Sequence, residues 1–119
     1  MNIKILKGIQ TVLQMGIAII FVIAGLNKIF HKTDVTEMFT KFDIPMEFMV
    51  TIGFTELVLS VLLFVKYFSK LASLSLITIL IFGTFFNLMY GFIHVALLNV
   101  VIIGIILSYI KLTNRIKEI

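Results

Sequence analysis

Apolar positions along this chain fall into four long blocks, and the polar positions gather in the short breaks between them. The run Ile17-Ala18-Ile19-Ile20-Phe21-Val22-Ile23 has no in–out alternation, so it cannot read as a strand of a membrane barrel. A helix that crosses a bilayer needs about 20 predominantly apolar residues. Four segments meet that length, at about residues 9–30, 46–65, 71–88 and 92–110. The breaks after the second and third segments are only a few residues long, so these neighbours are predicted to run antiparallel. The pattern predicts an all-α integral membrane protein, an antiparallel four-helix bundle forming one domain over residues 1–119.

The one longer break, residues 31–44, carries its own period. Val35, Met38, Phe39 and Phe42 recur at the spacing of one helical face. Asp34 followed three residues later by Glu37 reads as a capping box. A short interfacial helix is expected here, lying on the outer leaflet or lidding the bundle. Pro45 then suits the first turn of the second spanning helix.

Composition removes whole classes of chemistry. The 119 residues are 61% hydrophobic and 13% charged, where a soluble domain carries about 25% charged residues to face water. There is no cysteine, which excludes disulfides, thiolate catalysis and Cys-ligated metal or iron–sulfur centres. Two distant histidines and one buried carboxylate form no metal set, so no metal is expected. The net charge of +4 sits at helix boundaries and reads as a determinant of topology, with no nucleic-acid partner implied.

Those basic residues agree on an orientation. Lys4 and Lys7, Lys66 and Lys70, and Lys111, Arg115 and Lys117 fall on one side. On the other, Lys28, Lys32 and Lys41 are offset by Asp34, Glu37, Asp43 and Glu47. The positive-inside rule therefore places both termini in the cytoplasm, in a multi-pass plasma or inner membrane protein. So consistent a bias argues against dual topology. Lys4 and Lys7 before the first apolar block also suit a signal peptide, but the block exceeds the usual core of about 7–15 residues and is read as a span. Tyr67 and Tyr109 are expected as anchors at one interface and Tyr90 at the other.

An ionisable residue at membrane depth is expensive, and each is a candidate for function. Glu56 lies about 15 Å into the second span at 1.5 Å per residue. It is either a neutral group bonded to a neighbouring helix or part of a working site. On the first helix, Gln10, Gln14, Ala18, Phe21, Gly25 and Lys28 share one stripe, which should face other helices. Lys28 either turns inward toward Glu56, across an axial gap of about 10 Å, or snorkels to the headgroups. Asn27, Asn87, Tyr90, His94 and Asn99 gather in the same half of the bundle. Together these seven side chains could line a polar pocket beneath the loop helix; singly, each asparagine could be an interhelical hydrogen bond. Gly53, Gly83, Gly91 and Gly104 read as points of close helix approach. The six methionines and twelve phenylalanines read as core and bilayer filling.

With these residues in place, the chain resembles the DoxX-like family of small four-helix membrane proteins. The resemblance rests on Ala24-Gly25-Leu26-Asn27-Lys28, similar to an AG-x-x-K pattern. It rests also on Ile44-Pro45 opening the second helix, and on Gly53-Phe54-Thr55-Glu56-Leu57, similar to G-x-x-E-L. It implies that Lys28 and Glu56 are signature positions with a shared role. Some relatives are linked to thiosulfate-dependent quinone reduction or membrane redox systems, and others look like assembly factors.

Three functions follow as expectations. The first is an accessory of a membrane redox system that binds quinone or a similar lipid in the outer-half pocket. Any electron transfer would belong to a partner or a bound cofactor, because no side chain here performs it. The second is a non-catalytic factor for assembly of another membrane protein, or a homo-oligomer. The third is a proton-coupled transporter like the small multidrug-resistance proteins. Their carboxylate lies in helix one, where this chain has Gln14.

Overall fold

In a computed structural model, which describes residues 2–118, the chain forms five α-helices. They are α1 (Ile3–Ile29), α2 (Thr33–Lys41), α3 (Met46–Leu62), α4 (Ser69–Met89) and α5 (Ile93–Glu118). No strand occurs among the described residues. α1, α4 and α5 are each long and apolar enough to cross a membrane. α3 has 17 residues, and its apolar sequence continues through a turn that closes on Leu59, Val61 and Leu62 carbonyls. The molecule measures 48 × 24 × 18 Å, so the helices stack side by side along one long axis.

Side-chain bonds fix the relative directions. Gln14 on α1 donates to the Leu63 carbonyl just past α3, and Gln10 donates to Thr113 near the end of α5. The start of α1 therefore meets the ends of α3 and α5, and both chain termini lie at one end. The apolar core is built from Ile17 and Phe21 of α1, Leu63 just past α3, Leu76 and Leu80 of α4, and Ile102 and Ile106 of α5. Large apolar side chains such as Val12, Ile19, Phe54, Phe82 and Val101 face outward. An apolar exterior of this kind requires an apolar solvent.

Local chemistry moved the predicted boundaries. α1 begins six residues earlier than expected because the Asn2 side chain accepts from the Lys4 N–H and caps it. α5 runs on past residue 110 to Glu118, with Arg115 and Lys117 in its last turn, where cations complement the helix dipole. The capping box at Asp34 and Glu37 does not form. Lys32 is the N-cap of α2, no side chain caps it, and Asp34 sits inside the first turn.

The apolar face of α2 does turn inward. Phe39 and Phe42 are buried. The Phe42 ring stacks on Phe86 and meets Tyr90 and Phe92 at centroid distances of 5.3–5.8 Å. At this end three helices stop in the same way. His31, Asp43 and Gly91 have φ of 55°, 59° and 85°. The next residue in each case returns its N–H to a carbonyl five back: Lys32 to Asn27, Ile44 to Phe39, Phe92 to Asn87. This left-handed stop satisfies carbonyls the helix leaves open. Gly91 is thus a turn glycine and not a packing one. Gly104 also departs from expectation, because nothing lies within 4 Å of where its Cβ would be.

Candidate functional site

Gly25 on α1 and Gly53 on α3 touch backbone to backbone. A Cβ on Gly25 would stand 2.6 Å from the Gly53 carbonyl oxygen, and one on Gly53 would stand 2.7 Å from that of Gly25. Only hydrogen fits at either position, and the two axes come together there. Each glycine has a charged residue three positions later, Lys28 and Glu56, hence on the same face. Because α1 and α3 run in opposite directions, the two charges lie on opposite sides of the glycine contact, about 9 Å apart along the axis.

The lysine stem closes that gap. It passes over Gly53, where an added Cβ would meet Lys28 Cβ at 2.9 Å. Its Nζ ends 2.7 Å from Glu56 Oε1. No intervening water is needed, and Lys28 does not snorkel outward. The Lys28 side chain retains 16% of its exposure and that of Glu56 only 3%. Lys28 is therefore the less buried partner of the pair. The ammonium reaches Oε1 at ion-pair distance but off hydrogen-bond geometry, so this oxygen has no directional donor. Lone pairs on the carboxylate and protons on the ammonium remain open to a third group.

None of the other five predicted site residues is hydrogen-bonded to Lys28 or Glu56 among the described contacts. Asn87 is buried, its amide donates to the Gly83 carbonyl, and its Oδ1 has no partner. Asn99 flanks the same glycine from α5, with its amide nitrogen 3.4 Å from where a Gly83 Cβ would lie. Gly83 thus faces α5 at ordinary contact distance, without the backbone contact seen at Gly25 and Gly53. Asn27 is half-buried and uses its carbonyl to stop α1. Tyr90 leans on Phe42 with 44% of its surface exposed. His94 is exposed at the start of α5. No group of three or more metal-ligating side chains occurs among the described residues.

One polar cluster was not expected from the pattern. Tyr109, expected as an interfacial anchor, is 2% exposed. Its hydroxyl lies 2.6 Å from Ser69 Oγ and accepts from Gln14 Nε2 at 3.3 Å. A sequence signal did exist: Tyr109 and Thr113 repeat at i, i+4 on α5, the spacing of Gln10 and Gln14 on α1.

Long outward-apolar helices with a charged pair sealed between two of them define a helical integral membrane protein. Within that class, the chain belongs to the DoxX family, whose profile matches residues 9–89, more than half of its length. The match takes in Lys28 and Glu56 and ends at the close of α4. No curated protein and no solved structure matches the chain.

Proposed function

We propose that this DoxX-family chain is an accessory of a membrane redox system that holds a quinone, or a similar polar-headed lipid, against the Lys28–Glu56 pair. In this reading α3 is the fourth span of an antiparallel bundle, α2 lies at the outer interface, and both termini face the cytoplasm of a cell with a plasma or inner membrane. The carrying observation is the 2.7 Å ion pair within the spanning helices. Removing two charges from water costs several kcal/mol per ion even after relaxation, so a purely structural need is met more cheaply by apolar packing.

The residues fit such a ligand. A quinone carbonyl is an acceptor, and Lys28, the less buried partner of the pair, carries an ammonium with protons to spare. Glu56 holds that ammonium in place. A quinone supplies two-electron, two-proton chemistry, and this chain's part is to bind and orient the head, with electrons delivered by a partner protein.

A second reading has an observation of its own. The glycine contact brings α1 and α3 together at backbone distance and the pair bridges them directly, as a lock that shapes the bundle for assembly with another membrane protein would require. Quinone content of the purified protein separates the two. Lys28→Met should lose bound quinone, and so should the charge swap Lys28→Glu/Glu56→Lys, although the swap retains a pair. Retention of quinone by Lys28→Met would remove the redox reading. Recovery of both stability and partner capture by the swap would favour the lock.

A further inference from the structure

A second polar feature lies at the opposite end of the bundle from α2. A groove of about 450 Å³ opens there between the start of α1, the turn after α3, the start of α4 and the end of α5. Its rim carries Lys7, Lys66, Lys70 and Lys117, and no aspartate or glutamate lines it. Among the described residues the one ion pair of the chain is Lys28–Glu56. None of the four ammonium groups at this mouth is in an ion pair among the described residues. The positive-inside rule accounts for lysines at this end of the helices; the fold then places four of them, from separate segments, around one concavity.

The floor is built and already ordered. Gln14 Nε2 donates to the Leu63 carbonyl at 2.7 Å, and Gln10 Nε2 donates to Thr113 at 3.0 Å. The buried hydroxyls of Tyr109 and Ser69 bond each other. Ser69 and Lys70 also open α4, whose N-cap Phe68 offers no side-chain acceptor. The free N–H groups of that first turn, with the positive end of the helix dipole, add to the attraction for an anion. Phe64, Ile110 and Ile116 give the same groove an apolar wall.

We propose that this groove is a binding site for a phosphate-bearing anion, with room and charge for a headgroup of two phosphates. The lysines neutralise the phosphates, the first-turn N–H groups of α4 meet their oxygens above an ordered polar floor, and the apolar wall takes the root of an acyl chain. Basic pockets between spanning helices are suited to doubly charged lipid headgroups, and the same chemistry would accept a soluble phosphate. This site is independent of the Lys28–Glu56 reading.

The test is binding to the full-length protein in neutral detergent, followed by thermal shift and native mass spectrometry. The probes are diphosphatidylglycerol, phosphatidylcholine and inorganic phosphate. Diphosphatidylglycerol should bind at least tenfold more tightly than phosphatidylcholine, and Lys66→Gln/Lys70→Gln should remove most of that difference. Lys32→Gln/Lys41→Gln, at the other end, should leave it unchanged and so controls for loss of charge alone. Competition by inorganic phosphate at equal concentration would identify a soluble anion as the source, and failure to compete would identify the lipid. Equal binding of both lipids with no phosphate binding would overturn the proposal. So would an effect of the Lys32/Lys41 variant as large as that of Lys66/Lys70.

Discussion

Glycine at position 53 makes the buried pair geometrically reachable. Lys28 and Glu56 sit at different depths, and the lysine stem travels between them through the space a methyl group would fill. Gly53→Ala would set its Cβ against the Gly25 carbonyl and the Lys28 stem together. Backbone cannot yield there as a flexible side chain would. Overpacking of this kind costs about 1–3 kcal/mol, and that loss is the expected fall in unfolding free energy for Gly53→Ala in detergent. Gly104→Ala, with open space around it, should leave stability unchanged or slightly raised. The G-x-x-charge spacing was legible in the chain at both sites. That one glycine would lie on the other was not, because register between α1 and α3 depends on the turn that α2 imposes.

The helix ends near α2 store a different kind of strain. His31 and Asp43 hold the left-handed conformation that Gly91 adopts freely, and a residue with a Cβ pays about 1–2 kcal/mol for it. His31→Gly and Asp43→Gly should each stabilise the protein by about 1 kcal/mol, read as a rise in melting temperature. Gly91→Ala should shift it the opposite way by a similar amount. The stops at 31 and 43 frame α2 and aim Phe42 into the aromatic cluster with Phe86, Tyr90 and Phe92. Periodicity at Val35, Met38, Phe39 and Phe42 showed which face of α2 turns inward. It did not show how the helix starts, since Lys32 caps it without a side-chain bond and Asp34 falls within the first turn.

Over the whole molecule, the ion pair lies between the helices and the basic groove at the end away from α2, in a bundle 48 Å long. The absence of cysteine makes the arrangement across the membrane directly measurable. Single substitutions Lys32→Cys, Tyr67→Cys and Met89→Cys place a unique thiol at exposed positions. With α3 as a fourth span and both termini inside, an impermeant maleimide should label Lys32→Cys and Met89→Cys on intact cells. Tyr67→Cys should react only in inverted vesicles. If Lys32→Cys and Tyr67→Cys react from the same side, α3 does not cross.

The blocks of apolar residues determined by themselves that the chain is helical and where its long helices run, because lipid offers backbone groups no partner outside the helix. The inward stripe from Gln10 to Lys28 was likewise readable, since period and polarity select a face before any neighbour is known. Which faces meet was decided only by tertiary packing. Tyr109 became a buried member of a hydroxyl cluster, and Lys66 and Lys117 came to share one rim. Asn27 came to close the end of α1 through its carbonyl, with Lys28 alone paired to Glu56. Contacts between residues far apart in the chain depend on helix rotation and register, and those are set by a few glycines and turn residues whose effect appears only once the helices pack.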